Sequence, residues 1–289
     1  MQRFTPRSVM LAAAAALAII PATAFAATIQ GGPGNEHLTG TNSADLIDGN
    51  AGNDRIHGRG GNDTLIGGLG NDRVFGGSGN DVITGVQGND WLNGGSGDDT
   101  ITGDANNTGD LTSFDHIFGG SGNDTLHGGD SRDVMYGGSG NDVSYGENGN
   151  DRMAGGTGND MQDGGAGNDT IFANEGVDVS IGGDGNDTLY AMARKDVTPG
   201  PNGEVDQVGD TLDGGNGDDT FYTRDGEVDH ITCGPGNDKA NLDMVDVITD
   251  ATPENPNGSC ETVVRAAPKA KASKVEDAQQ APKAEKVQS

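Results

Sequence analysis

Residues 67–84 read GGLGNDRVF followed by GGSGNDVIT, two consecutive copies of the pattern Gly-Gly-x-Gly-Asn-Asp-x-aliphatic-x. The same pattern opens at Gly31 and steps by nine residues to Gly94, and a second run extends from Gly119 to Gly182. Self-similarity at a short, fixed period is typical of solenoids, in which each repeat forms one unit and stacks on its neighbours. The repeat therefore decides the architecture before any other feature of the chain.

The nine positions divide into a turn and a short strand. Positions one to six contain glycines, which allow tight backbone turns, and end with the carboxylate of an aspartate. Positions seven to nine predict a strand whose middle residue points to one side while its neighbours point to the other. These middle residues predict a thin core between two sheets: Ile47, Ile56, Leu65, Val74, Ile83, Leu92, Ile101, Leu126, Met135, Met153, Ile171 and Leu189.

Two repeats complete one coil of 18 residues, so turns in successive coils lie above one another at the strand spacing of about 4.8 Å. Carbonyl and carboxylate oxygens from two stacked turns form a ligand set that suits Ca²⁺ better than a softer metal. The predicted rows of stacked aspartates are Asp54, Asp72 and Asp90 on one edge and Asp63, Asp81 and Asp99 on the other, then Asp124, Asp142, Asp160 and Asp178, and Asp133, Asp151, Asp169 and Asp187.

Over residues 28–240 the chain resembles the RTX, or hemolysin-type calcium-binding, family. The resemblance implies an all-β fold, a right-handed parallel β-roll (a β-solenoid), with Ca²⁺ as the cofactor. Each ion would be shared by two aspartates of stacked turns, together with turn backbone carbonyls. The implied ligands are Asp54, Asp63, Asp72, Asp81, Asp90, Asp99, Asp124, Asp133, Asp142, Asp151, Asp160, Asp169, Asp178, Asp187 and Asp219. Weaker ligand positions are Asp45, Asp104, Asn106, Asp115 and Asp210.

Three turns depart from the pattern. Glu36 replaces the aspartate of the first repeat, which puts a longer arm into a tight loop. Turns 40–45 and 173–178 each lack two of the glycines. These three turns are expected to bind metal poorly or to serve as caps.

A second departure lies in the core position itself. Position eight is polar at Ser144, Gln162 and Ser180, which fall on one sheet, whereas position seven beside them is apolar. A slip of one residue exchanges the two faces of a strand. Either the strands shift register there and leave a poorly specified core, or the sheet shows an outward apolar stripe that meets a partner. Full burial of Met161 would exclude the second interpretation.

Two insertions interrupt the repeats. Segment 103–118 contains a stretch, 104–115, that resembles a calcium loop of the EF-hand or dockerin type, but Thr108 and Asp115 stand where Asp or Asn and Glu are usual. A polar loop without metal is the alternative, and Asp115 also keeps the phase of the nonapeptide. Segment 191–213 contains two prolines and several glycines, which predict an exposed loop.

The charge of the chain agrees with a role for cations. The formal net charge is -28, and segment 27–264 alone holds nine basic and 42 acidic residues, a net of -33. A field of this density opposes a compact state, and without a basic footprint it excludes nucleic acid as a partner. With 52 glycines and 4% aromatic residues, the composition alone is typical of disorder. Bound cations are therefore needed to neutralise the carboxylates.

The N-terminus of the chain indicates export. Residues 1–26 have two arginines before an apolar stretch too short to span a bilayer, and the A-x-A site at 24–26 predicts cleavage after Ala26. The mature protein is expected to be secreted, extracellular and without a membrane span. In that compartment Cys233 and Cys260 predict a disulfide.

The predicted organisation follows the chain in seven segments. They are the signal peptide 1–26, the first roll segment 27–102, the insertion 103–118, the second roll segment 119–190, the loop 191–213, degenerate repeats with a disulfide cap at 214–264, and a disordered basic tail at 265–289.

No catalytic constellation is evident, so the chain is expected not to be an enzyme. The Gly-Ser-Gly triplets are repeat position three and lack the second flanking glycine of a nucleophile elbow. The predicted function is a secreted calcium-binding protein whose turns bind Ca²⁺ between stacked coils and drive folding of the roll. The alternative is a cell-surface adhesin or an envelope-associated interaction protein, with an unknown surface or protein partner.

Overall fold

The computed structural model describes residues 26–104, 113–191 and 209–267, and every regular element within them is a β-strand. The 24 strands of these segments form two 12-stranded sheets, and consecutive strands alternate between them. Neighbouring strands within each sheet are parallel, so each pair of strands completes one coil. This arrangement confirms the predicted all-β solenoid. Within the same residues, no helix is long and apolar enough to cross a membrane.

Sheet A contains the odd-numbered strands in chain order. They are β1 (Ala27–Gln30), β3 (Asp45–Asp48), β5 (Thr64–Leu69), β7 (Val82–Gln87), β9 (Thr100–Asp104), β11 (Thr125–Asp130), β13 (Val143–Asn148), β15 (Met161–Ala166), β17 (Val179–Asp184), β19 (Thr211–Asn216), β21 (His230–Thr232) and β23 (Val247–Ile248).

Sheet B contains the even-numbered strands in chain order. They are β2 (His37–Thr39), β4 (Arg55–Gly60), β6 (Arg73–Ser78), β8 (Trp91–Ser96), β10 (His116–Ser121), β12 (Val134–Ser139), β14 (Arg152–Thr157), β16 (Thr170–Ala173), β18 (Thr188–Ala191), β20 (Thr220–Thr223), β22 (Lys239–Leu242) and β24 (Thr262–Arg265).

The core is a double stack of position-eight side chains. In β6 the side chain of Val74 is fully buried while Arg73 is exposed, and Val74 pairs in register with Leu92 of the next coil. All twelve predicted core residues, Ile47 to Leu189, are fully buried. Each such burial contributes roughly 1.5–3 kcal/mol, and one per repeat is enough to hold two sheets together along the whole stack.

The strands are longer than positions seven to nine. β6 contains six residues and ends at Ser78, so it includes the first three positions of the following repeat. The sharp part of the turn is therefore only three residues long. Gly70, at position four, has a φ of 122°, a conformation that favours glycine, and its backbone packs directly against the carbonyl of Gly52 in the preceding coil.

Polar residues in the core do not shift the strand register. Ser144, Gln162 and Ser180 are all buried, and they pair directly with one another across β13, β15 and β17. The interpretation of a register shift is therefore wrong. Met161 and Val179 remain 38% and 39% exposed on the outer face, so the interpretation of an outward apolar stripe stands.

Hydrogen bonds to the opposite sheet explain why the register holds. In the amide orientation that satisfies both of its polar atoms, Gln162 donates to the carbonyl of Phe172 at 3.1 Å and accepts from the backbone N–H of Gly155 at 3.0 Å. A buried amide whose two ends are bonded does not carry the cost of an unpaired polar group. The side chain therefore fills the core position and links sheet A to sheet B.

The solenoid continues where the clear repeats end. Strands β22, β23 and β24 extend both sheets to Arg265, so segment 233–264 adds strands to the stack. The Sγ atoms of Cys233 and Cys260 lie at bonding distance, with their Cα atoms 5.2 Å apart, and both residues are buried in this last part of the core. The predicted signal peptide and most of the predicted basic tail lie outside the described residues.

Candidate metal-binding turns

Each regular turn ends in a buried aspartate whose two oxygens have different surroundings. The backbone N–H of Asp54 donates to Oδ1 of Asp72 at 2.7 Å, across one coil. Oδ2 of Asp72 is buried and has no hydrogen-bond partner. Asp81 repeats the arrangement on the opposite edge, where its Oδ1 accepts from the backbone N–H of Asp63 at 2.8 Å and its Oδ2 is unpartnered.

These hydrogen bonds define two continuous rows along the edges of the roll. The first row contains Glu36, Asp54, Asp72, Asp90, Asp115, Asp133, Asp151, Asp169, Asp187, Asp219 and Asp238. The second contains Asp45, Asp63, Asp81, Asp99, Asp124, Asp142, Asp160, Asp178, Asp210, Asp229 and Asp246. The structure thus places the predicted ligands of both repeat runs in the same two rows, which continue across both insertions.

The unpartnered oxygen recurs along most of each row. Buried Oδ2 atoms without a hydrogen-bond partner belong to Asp54, Asp63, Asp72, Asp81, Asp90, Asp99, Asp115, Asp124, Asp133, Asp142, Asp151, Asp160, Asp169, Asp187, Asp210, Asp219, Asp229 and Asp238. A single buried acceptor of this kind costs roughly 1–3 kcal/mol. Its regular recurrence indicates a missing positive partner rather than an isolated defect.

The free oxygen lies beside a carbonyl oxygen of the next coil. A Cβ added to Gly67 would lie 2.5 Å from Oδ2 of Asp72 and 2.9 Å from the carbonyl oxygen of Gly85. Two oxygens from stacked coils therefore converge on one space that has no room for a side chain, which explains the glycine at position one. Hard oxygen donors in a flexible ring are the ligands that Ca²⁺ prefers.

Burial raises the pKa values of these carboxyl groups. The pKa of Asp72 rises to about 6, that of Asp90 to about 8 and that of Asp115 to about 9, because burial penalises the charged form. The backbone hydrogen bond from the preceding coil offsets only part of this, and neighbouring carboxylates in the row raise the pKa further. Without positive charge in the turns, ionised aspartates are thus poorly stabilised in the folded state.

Asparagine at position five holds the stacked turns together, a role that the sequence analysis did not assign. Oδ1 of Asn53 accepts from the backbone N–H of Asn71 at 2.9 Å, and Oδ1 of Asn71 accepts from Asn89 at 3.0 Å. This ladder runs in the opposite direction to the aspartate bonds, so each turn is tied to both neighbours. The signal for it was present, because Asn recurs at position five almost as regularly as Asp at position six.

Two of the departing turns use their carboxylates internally. Oε2 of Glu36 accepts from the backbone N–H of Gly32 at 3.1 Å, and Oδ2 of Asp45 accepts from Thr41 at 2.5 Å. These contacts support the expectation that both turns bind metal poorly. Turn 173–178 differs, because Asp178 is buried and takes its place in the second row.

The residues of the predicted 104–115 loop are divided by the structure. Asp115 belongs to the first row, where its Oδ1 accepts from the backbone N–H of Asp90 at 2.8 Å. Asp104 ends β9, is buried and accepts a hydrogen bond from the Ser113 hydroxyl. Asn106 lies outside the described residues, so the EF-hand-like loop stays a prediction.

The donor set of a turn is one carboxylate with backbone carbonyls. In the described segments, no group of three or more His, Cys, Asp or Glu side chains could hold a metal ion. A cation between two coils would therefore be held by the aspartates of stacked turns and by carbonyl oxygens, without the nitrogen or sulfur ligands that zinc favours.

Comparison with known families agrees with this geometry. The model of the RTX calcium-binding nonapeptide repeat matches residues 30–65, 48–83, 57–92, 84–107, 112–143, 145–162, 163–189 and 209–228. No curated protein matches the chain. The family matches cover more than half of the sequence, and they fall on the coils whose aspartate rows are described above. The chain belongs to the RTX calcium-binding nonapeptide repeat family.

Proposed function

We propose that this protein is a secreted, non-catalytic calcium-binding protein whose turns hold Ca²⁺ between stacked coils, and that binding drives folding of the roll. The observation that carries the proposal is the recurring buried Oδ2 atom, of which Asp72 is representative. Bound Ca²⁺ supplies the positive charge and the oxygen coordination that these atoms lack. The aspartates and turn carbonyls are the ligands, and the asparagine ladder fixes the spacing of the turns.

The cost of the unpaired carboxylate oxygens is comparable with the whole stability of a folded domain. Folded domains are stable by only about 5–15 kcal/mol, whereas a single unpaired buried acceptor costs roughly 1–3 kcal/mol. Both rows contain many such acceptors. The metal-free roll is therefore unstable at neutral pH, and the free energy of calcium binding becomes free energy of folding.

Export is the second part of the proposal. It is supported by the basic and apolar segments of residues 1–26 and by the cysteine pair, which is suited to an oxidising compartment. Extracellular calcium modules operate with dissociation constants of about 10⁻⁴–10⁻³ M, which is suited to a protein that folds after export. Sequencing the N-terminus of the protein recovered from culture medium should give Ala27 as the first residue.

Two adjacent aspartates provide a matched test of calcium binding. Asp99 is buried in a row with an unpartnered Oδ2, whereas Asp98 is an exposed aspartate in the position-five slot. Oδ1 of Asp98 accepts from the backbone N–H of Asn123 at 2.8 Å, a bond that asparagine also makes. The variants D99N and D98N thus remove the same charge, one inside the candidate site and one beside it.

The measurement is a Ca²⁺ titration followed by far-UV circular dichroism and calorimetry. The wild-type chain should gain β-structure with Ca²⁺ but not with equimolar Mg²⁺, which demands stricter geometry. D99N should weaken binding at the local sites by about tenfold, or about 1.4 kcal/mol, whereas D98N, which removes only a neighbouring charge, should shift the titration much less. A spectrum that does not respond to Ca²⁺, or an equal shift in both variants, would contradict the proposal.

A further inference from the structure

An arginine pair lies at one edge of the otherwise acidic roll. It forms part of a shallow cleft of about 240 Å³, whose lining residues are Arg132, Asn150, Asp151, Arg152, Asn168 and Thr170. Arg132 belongs to the turn before β12, and Arg152 is the first residue of β14 on sheet B. The two guanidinium groups are close enough to influence each other electrostatically, so the cleft concentrates positive charge.

Neither guanidinium lies within ion-pair distance of a carboxylate among the described residues, although Asp151 attracts Arg132 electrostatically. The chain has 45 acidic residues, but in the described segments the single ion pair is that of His127 with Glu147. Arg152 lies over the ring of Phe172 at 4.7 Å, and Arg132 lies over Phe114 at 5.8 Å. A guanidinium that packs by its face keeps its N–H donors at the edge for a planar or tetrahedral oxyanion.

The repeat is broken locally to build this cleft. Position five is asparagine in most turns of this edge, but it is Phe114 and Arg132 in two successive coils. The ladder resumes at Asn150, whose Oδ1 accepts from the backbone N–H of Asn168 at 2.7 Å. The chain thus gives up ladder bonds in the two coils that carry the aromatic ring and the cation.

We propose that Arg132 and Arg152 bind the oxyanion group of an acidic saccharide, either a carboxylate or a sulfate. The charge-assisted bonds to the oxyanion provide most of the affinity. The neighbouring amide groups of Asn150 and Asn168 and the hydroxyl of Thr170 are of the kind that bonds sugar hydroxyls. The ligand is therefore expected to be a saccharide rather than a free inorganic ion.

Asp151 makes this binding dependent on calcium. Its Oδ1 accepts from the backbone N–H of Asp133, and its Oδ2 is among the unpartnered oxygens of the first row. Asp151 lines the cleft and attracts the guanidinium of Arg132, whereas a cation in the turn would bind that carboxylate and leave both guanidinium groups to the anionic ligand. This dependence rests on the proposed calcium function, but the arginine cleft itself does not.

The test uses the full chain saturated with Ca²⁺, after circular dichroism has shown that the chain is folded. Calorimetry is run with a sulfated heparin oligosaccharide, a galacturonate trisaccharide and a neutral dextran oligosaccharide of similar length. R132Q and R152Q should each weaken binding of the preferred acidic probe by about tenfold. The control is R73Q, which removes an exposed arginine from the equivalent first position of β6 on the same sheet. It should leave the affinity unchanged, and the neutral probe should not bind.

Three outcomes would contradict the proposed binding of an acidic saccharide in the cleft. One is the absence of binding by both acidic probes to folded, calcium-loaded protein, and another is equal weakening in R73Q, which indicates a non-specific charge effect. The third is that R132Q raises calcium affinity without changing saccharide binding, which makes the arginines counter-charges for the turn. If Ca²⁺ fails to induce the roll, the calcium proposal fails, and that result is read from the spectrum before any saccharide is added.

Discussion

The regular coils at 49–102 and the last coil at 239–265 share one architecture but differ in what satisfies their turns. In the regular coils Oδ2 of Asp81 has no protein partner. In the last coil Oδ2 of Asp246 accepts from the Thr223 hydroxyl and from the backbone N–H of Asp243, each at 2.7 Å. One carboxylate therefore requires an external positive charge, whereas the other is satisfied by donors of the protein.

A neighbouring carboxylate in the last coil is satisfied in the same way. Oδ1 of Asp243 accepts from the backbone N–H of Val245, and Oδ2 accepts from Gly226, each at 2.8 Å. The core is nevertheless continuous, because Ile248 is buried as Ile83 is in the regular coils. The difference shows that the buried aliphatic residue suffices for the coil, whereas the nonapeptide turn is needed for the cation.

Lowering free Ca²⁺ should separate the two regions. We expect β7 and β8 to lose amide protection at a higher free Ca²⁺ than β22 and β24, because protein donors satisfy Asp246 and Asp243 in the last coil and only Asp238 there keeps an unpartnered Oδ2. Solenoid coils contact only their neighbours, so such regional loss is possible. Hydrogen exchange read by mass spectrometry over a chelator series measures it.

The cysteine pair provides the control for that experiment. A disulfide between Cys233 and Cys260 closes a loop spanning a sequence separation of 27, which stabilises by roughly 3 kcal/mol in the chain-entropy model. The double variant C233S/C260S should bring the loss of protection in β22 and β24 toward higher Ca²⁺. A single midpoint shared by all strands in the oxidised protein would refute the regional difference.

Acid should partly replace calcium in the regular coils. Burial raises the folded-state pKa of Asp90 to about 8 and that of Asp115 to about 9, from the ordinary value of 3.8. The folded state therefore binds more protons than the unfolded state between pH 4 and pH 9, so stability of the metal-free roll rises as pH falls. The destabilisation is complete above the folded pKa values and disappears below about pH 4.

Circular dichroism of the chelated protein from pH 9 to pH 4 checks this expectation. The β-signal should increase on acidification, and the calcium concentration needed to saturate the turns of the folded roll should rise, because protons compete for the same oxygens. The pKa of Asp246 rises to about 6, like that of Asp72 in the regular coils, so the increase should begin at the turns of Asp90 and Asp115, whose pKa values are higher. A β-signal that decreases steadily from pH 9 to pH 4 would have the wrong sign.

Local periodicity predicted the regular part of the molecule well. The spacing of nine placed Asp72 and Asp90 in one row and put Val74 in the core, because those relations repeat identically from coil to coil. Periodicity failed where hydrogen bonds replace apolar packing in the core. Gln162 looked incompatible with the core because its partners, the carbonyl of Phe172 and the N–H of Gly155, lie on the opposite sheet.

The sequence predicted only degenerate repeats for the last coil, and it missed the strands there for a related reason. Asp246 accepts a hydrogen bond from Thr223, 23 residues earlier, and no repeat spacing predicts that pairing. The first row also continues from Asp90 directly to Asp115, across an insertion that interrupts the period. Pattern analysis thus recovers interactions that recur at constant separation, and it misses those that the chain makes only once.

The smallest expected effect concerns a regular turn in which valine occupies a position that favours glycine. Val86 occupies position two, where most turns have glycine, and its φ is 96°. A β-branched residue in that conformation is strained by roughly 1–3 kcal/mol, while glycine costs about 0.4–1 kcal/mol through the unfolded chain. V86G should therefore stabilise the calcium-loaded roll by about 1 kcal/mol, measured by denaturant unfolding at saturating Ca²⁺.

The matched control lies in the same strand. Val82 is the first residue of β7, is 48% exposed and has no positive φ. V82G should destabilise the protein by roughly 0.5–1 kcal/mol, since glycine weakens a strand without relieving strain. If the free energy of unfolding rises in V86G and falls in V82G, the effect at Val86 comes from its backbone conformation. Equal destabilisation would mean that the regular turn accepts a valine at position two without strain, and the glycine there would then serve only the close approach of stacked coils.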